Sequence, residues 1–519
     1  MSKSLSSRSL SRRGLRFAFR LTLRRTKSDR TGARLRFKTS AEMMTTMTLL
    51  LVGVTTAFWS VPLSSAEPSS DYYHDGERVG SLKTERPLPI YHPNPEHIWN
   101  RLFAAFYTRI SRLPSKPGGE PINRIEGGDY IDFLAWGRTA YWSSAATANR
   151  LNGLLDEFLN DGGVDAIDEP IKRAVLLRDL WAAHDFFVEQ NMRRLGSIDV
   201  RRRRTQLCLK LARVIQSLAL PRATIERSPD TYAAAIRSGQ FAAEQDFTLN
   251  HDYLPHGLMT DPENWVEVDF YQPNLHEDLF DRFITLHARA YRGRSYFRIF
   301  YRFPGGRRAL TAFLKTLDEQ GVDWRQAAQD GFILLKDDAP QIPVGTQVAL
   351  VQFMMTLDDT LQPVPTKIVE SVRHRTFRNV DGASEPRTNT GFGMHIMEYT
   401  LKRRLLFDNL DRGGLEREPD DAPLYRIIFQ PRGAPDWGTD QRKTLFQQCA
   451  DCHMTPKADR LGVHSMPSIV HMGGFDAGAQ LGIVHPLSPK ESHVRGRRVA
   501  RWKSQHETYR RLLESLEGD

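Results

Sequence analysis

Three cysteines occur in the 519 residues, and two of them stand in the run Cys449-Ala450-Asp451-Cys452-His453. With 3 cysteines and 16 histidines in the chain, an accidental Cys-x-x-Cys-His has a probability of roughly four in ten thousand. Two thiols three residues apart on one helical turn can each add across one of the two vinyl groups of a single haem, and the adjacent imidazole then reaches the iron from the same side. Three neighbouring residues thus provide for one covalent haem c, with Cys449 and Cys452 as attachment points and His453 as an axial ligand. Paired thiols serve two other chemistries. A thioredoxin-type redox pair or disulfide wants a strand ahead of a helix N-terminus, whereas Thr439 to Gln448 reads as a helix running into the motif. A four-ligand zinc site wants a second cysteine pair, and the sequence has none.

The helix from Thr439 to Gln448 has Thr439 or Asp440 as its cap and Leu445 and Phe446 on its apolar side. Together with the motif it resembles the opening of a c-type cytochrome domain, and the resemblance covers roughly the last eighty residues. The loop Met466-Pro467-Ser468-Ile469-Val470-His471-Met472-Gly473 is similar to the family's proline-containing loop. By that resemblance Pro467 orients the His453 ring through its carbonyl. Val499, Trp502, His506, Tyr509, Leu513 and Leu516 lie at helical spacing. In the family, such a terminal helix packs across the first one. The chain departs from the family at the opposite haem face, because no methionine follows Met472. His485, in the loop before the last helix, ranks first as the sixth ligand, Met472 second and Met466 third; an open five-coordinate iron is the remaining option.

Haem attachment of this kind takes place outside the cytoplasm, and the N-terminus agrees with export. Thirteen Lys and Arg residues fall within the first forty positions. An apolar run, Leu49 to Val61, and the small residues Ser64-Ser65-Ala66 follow, the three parts of a signal peptide cut after Ala66. A leader of that length implies a start downstream of Met1. The net charge of +10 resides there: taking thirteen basic residues and Asp29 and Glu42 from totals of 72 and 62 leaves 59 basic against 60 acidic. The mature chain is near neutral, so a nucleic-acid partner is not expected. Membrane association is expected only if the leader stays on.

The rest of the chain must position the haem. Residues 67–95, rich in Pro, Ser and charge, read as an extended tail. Residues 96–240 read as mainly helical: Ile98, Leu102, Phe106, Ile110 and Leu113 on one face, then Leu151 to Phe158, then Asp168 to Gly196, then a helix carrying Cys208. Cys208 reads as a small buried hydrophobe, and the run Arg201 to Arg204 as a solvated helix face. Residues 241–436 give strand signals at Val266 to Phe270, Phe297 to Phe303, Phe332 to Leu335, Val348 to Phe353 and Leu424 to Phe429, with a helix at about Arg307 to Glu319. The order is that of an α+β region. Residues 437–519 complete a multidomain chain as a small all-α, cytochrome c-like domain.

Two weaker patterns lie upstream. His251 and His256 with Asp246, Asp252 and Asp261 form a loop cluster of acid–base type, and surface histidines among turn residues are its bland reading. Gly305-Gly306 before an arginine-rich helix lacks the spacing and the Lys-Ser/Thr of a phosphate loop. The sequence thus predicts an exported monohaem c-type cytochrome that exchanges electrons with a partner protein or a small-molecule donor or acceptor. Two alternatives remain: an oxidoreductase with a substrate site in 241–436 that feeds the haem, or an exported binding protein with a Cys449–Cys452 disulfide.

Overall fold

A computed structural model describes residues 88–107, 145–247, 251–270, 284–330, 335–336, 338–378, 394–418, 482–491 and 494–517, with the backbone of short strands at 71–74, 77–81, 109–111, 124–126 and 470–471. The chain divides into units Met1–Glu67 and Pro68–Asp519; every described residue lies in the second. The leader, the strand expectations at 332–334 and 424–429, and the Cys449–His453 motif fall outside the described residues.

Strands β1 (Asp71–His74) and β2 (Glu77–Ser81) pair antiparallel and precede helix α1 (Ile98–Tyr107). The expected first helix is cut short, because β3 (Arg109–Ser111) takes up Ile110 in a pair with β4 (Arg124–Glu126). Helices α2 (Ala145–Asn160), α3 (Pro170–Met192) and α4 (Ile198–Leu218) match the apolar periodicity at those places. Pro170 opens α3, where a missing N–H costs nothing. The Ser197 side chain caps α4 by accepting from Val200 N. Two short helices, α5 (Arg222–Glu226) and α6 (Thr231–Arg237), lead to the sheet.

The sheet is one seven-stranded antiparallel meander. In chain order come β5 (Trp265–Asp269), α7 (Leu286–Ala290), β6 (Ser295–Arg302), α8 (Gly306–Thr316), α9 (Trp324–Asp330), β7 (Gln347–Leu357), β8 (Pro363–Phe377), β9 (Met394–Leu401), α10 (Arg403–Asp408) and β10 (Leu415–Arg417). Then follow β11 (Val470–His471), β12 (Gly482–Ile483), β13 (His485–Pro486), α11 (Val494–Gln505) and α12 (Glu507–Glu517). Strands β5 to β10 lie side by side in sequence order, and β13 adds to the free edge of β5. The α+β expectation therefore holds for the chain as a mixture of helices and an antiparallel sheet.

Alternation places the two faces of the sheet in two cores. Ala349, Val351, Met397 and Tyr399 join Trp99, Trp181, Leu211 and Leu512 in a core shared with the helices. That core crosses position 240, where a boundary was expected. Val268, Ile299, Leu350 and Val484 face the other way and pack with Leu310, Leu314 and Val499. Helix α11 packs on β6 and β8, and α12 on α3 and α4. The expected single terminal helix is broken, because His506 Nδ1 accepts from Thr508 N at 3.2 Å and starts α12 afresh.

Candidate functional site

Cys449, Cys452, His453, Met466, Pro467 and Met472 lie outside the described residues. The structure does fix where the chain stands on either side of them. The segment that carries the motif leaves the sheet after β10 and is next described at β11, whose Val470 and His471 pair with Ile483 and Gly482. Two residues later His485 enters the sheet in β13. Strands β10 and β13 are opposite edges of the same sheet, six strand spacings apart, or about 29 Å.

His485 was expected in a loop and instead sits in β13, opposite Asp269 of β5. Its place is held from several sides. Leu487 N donates to Glu267 O at 2.8 Å, and the Glu491 carboxylate accepts from Ser488 N at 2.9 Å. Behind it, Asp269 is fully buried and takes Arg495 Nε at 3.0 Å and the guanidinium of Arg498. Arg495 also donates to Phe297 O at 2.8 Å and to Val268 O. The His485 ring is half-buried, and neither ring nitrogen has a hydrogen-bond partner among the described residues. Burial first, then the neighbouring Arg495 and Arg498, lower its pKa below the usual histidine range, against the pull of Asp269 and Glu491. A neutral imidazole with an uncommitted lone pair is what an iron ligand needs; His485 has the protonation and the donor atoms for that, with both ring nitrogens closed off from solvent.

No protein-family model, curated protein or solved structure matches this chain. Its chemistry therefore has to be read from its own residues.

The other upstream pattern does not converge. His251 Nε2 contacts Glu244 O at 3.3 Å, His256 Nε2 contacts Phe241 O at 3.2 Å, and Asp252 pairs with Arg417 at 3.3 Å. Asp261 accepts from Asn264 N and Nδ2 and so closes its own turn. Among the described residues no group of three or more metal-ligating side chains is gathered. Cys208 is buried, and burial pushes its thiol up to about 12, as suits a structural side chain.

The periodicity of α3 concealed a buried ionic network. Arg178 Nε meets Glu370 at 2.8 Å and its Nη2 donates to Ser295 Oγ at 3.0 Å. Asp179 takes Arg403 in two bonds, at 3.0 and 2.7 Å, and accepts from Tyr91 Oη at 3.1 Å. Asp185 receives both Arg294 and Lys503 Nζ, the latter at 2.7 Å. Lys503 also donates to Thr508 Oγ1 at 2.9 Å and lies over the Trp181 ring. Burial pulls the Lys503 ammonium down to about 8, against Asp185, which raises it; the two cations hold Asp185 well below the usual carboxylate range despite its burial. The signal in the sequence was the pairs Arg178-Asp179 and His184-Asp185 inside the otherwise apolar stretch Ala174 to Val188 of α3. Of these pairs, Asp185–Lys503 ties α11 to α3, and the Lys503–Thr508 bond ties α11 to α12.

Proposed function

We propose that this chain is an exported monohaem c-type cytochrome that transfers single electrons. The five residues Cys449 to His453 carry the reading. The Cys449 and Cys452 thiols would each add S and H across a vinyl C=C, with no leaving group, and His453 would hold the iron from the same side. Pro467 would accept from a ring nitrogen of His453 and so orient it, and His485, whose ring nitrogens have no hydrogen-bond partner among the described residues, would be the second protein ligand to the iron. When bound, haem supplies a reversible one-electron couple whose potential depends on these ligands and on burial. In this reading residues 437–519 carry the haem; they are not all-α as the sequence suggested, because β11, β12 and β13 lie among them, and 96–240 is the mainly helical part ahead. Its electrons would come from, or go to, a redox partner protein or a small molecule outside the cytoplasm.

Expression in a host with a cytochrome c maturation system, followed by a denaturing gel stained for haem, tests the proposal. The full chain should give a stained band, and the Cys449→Ala, Cys452→Ala double variant should not. An unstained wild-type band with a mass two hydrogens short would assign the two thiols to a disulfide instead.

A further inference from the structure

The tip of the α3–α4 hairpin carries two large apolar side chains in the open. Met192, the last residue of α3, is 50% exposed, and Ile198, the first residue of α4, is 67% exposed. Around them, residues 192–204 contain six arginines and one acid, Asp199. Arg193, Arg194 and Arg202 are exposed. Asp199 offsets one of them only in part, since its 3.5 Å contact with Arg202 is itself exposed.

The tip has a built shape. Arg194 has φ 54° and Gly196 φ 81°, and a Cβ on Gly196 would stand 2.9 Å from Val200. The turn's carbonyls are taken from within: the buried Arg204 donates to Leu195 O at 2.7 Å, and Arg201 donates to Gly196 O at 2.9 Å. The neighbouring Glu189, one turn earlier, is locked to Arg292 at 2.6 and 3.0 Å. The turn's backbone is thus tied down while Met192 and Ile198 stay outside the protein. Among the described residues Arg193 and Arg194 have no ion-pair partner, and Arg202 has only its exposed contact with Asp199.

We infer that this hairpin tip is a docking surface for an anionic lipid bilayer, with Met192 and Ile198 entering the acyl boundary and the arginines meeting lipid phosphates. An apolar pair inside a cationic rim suits an interface that is anionic outside and hydrocarbon beneath. An acidic protein or a nucleic acid would use the arginines and leave Ile198 without a role. Among the described residues no helix is long and apolar enough to cross a membrane; the contact inferred at the hairpin tip is a peripheral one and uses neither the leader nor haem.

The test is co-sedimentation of the protein, as matured by an exporting host, with vesicles of phosphatidylcholine alone or containing phosphatidylglycerol. Binding is expected only to the anionic vesicles and should weaken with salt. At about fivefold for each arginine near the surface, Arg193→Gln, Arg194→Gln and Arg202→Gln together should lower the partition about a hundredfold. Met192→Ser with Ile198→Ser should lower it at least about tenfold, through lost apolar burial, with an unchanged melting temperature as the control for folding. Failure to bind anionic vesicles would overturn the inference. So would binding that the Met192 and Ile198 changes leave intact, since that would mark a purely electrostatic surface suited to an acidic protein.

Discussion

Replacing Asp185 by asparagine should be among the most damaging single changes to the fold. The carboxylate is fully buried and shared by two cations, Arg294 and Lys503. Lys503 already carries strain from burial: a pKa of about 8 against 10.5 for the free side chain costs the folded state about 3 kcal/mol at pH 7. Without Asp185 the ammonium can be driven only about 1.4 kcal/mol further before it sheds its proton at pH 7. Arg294 has no such escape, and a buried charge left without its partner costs about 3–5 kcal/mol. Asp185→Asn should therefore destabilise the protein by about 4 kcal/mol or more. Lys503→Met leaves the Asp185–Arg294 pair matched one to one and removes the surplus cation, so its cost should be within about 1 kcal/mol of zero. Urea unfolding followed by tryptophan fluorescence measures both. Equal losses for the two variants would refute the view that one carboxylate holds two cations and that Arg294 is the indispensable one.

The same lysine gives a pH dependence. Its folded pKa lies below its unfolded value, so between about pH 8 and pH 10 the unfolded chain binds more protons and stability should rise with pH; urea midpoints should show that rise in the wild type and lose it in Lys503→Met. His184 is fully buried with neither ring nitrogen partnered among the described residues, and burial holds its pKa at about 4. Stability should therefore fall by about 3 kcal/mol as pH drops from 6.5 to 4 on this group's account, and His184→Leu should show a shallower acid limb in the same titration. His485→Ala should convert a low-spin visible spectrum to a high-spin one. An unaltered spectrum would move the sixth ligand to Met472.

What could be read in advance depended on whether charge interrupted periodicity. Strands β5 and β6 alternate in hydrophobicity and β7 is an apolar run, so all three were legible, as were α2, α3 and α4. Strands β8 and β9 were not, because Glu370, Arg373 and Glu398 stand where apolar residues would signal a buried strand. Their burial is made tolerable by the Arg178–Glu370 and Arg373–Glu398 pairs, at 2.8 and 3.1 Å, whose members are far apart in sequence. The break at His506 was hidden for a related reason: a local cap ends one helix and starts the next without disturbing the apolar spacing of Trp502, Tyr509 and Leu513. His485 was legible as a residue but not as a strand, since two residues of pairing with β5 leave no pattern. The cysteine motif needed only local spacing, whereas the frame around His485 is built from contacts across more than two hundred residues, such as Arg498 with Asp269.

The central claim is that two sulfurs of this chain are bonded to one porphyrin. An intact mass of the protein, matured in a host able to make c-type cytochromes, measures that directly, with fragmentation across residues 445–456. The claim predicts the mass of one haem added, and retained on the fragment holding Cys449 and Cys452. The polypeptide mass alone, with those thiols free or joined to each other, would contradict it.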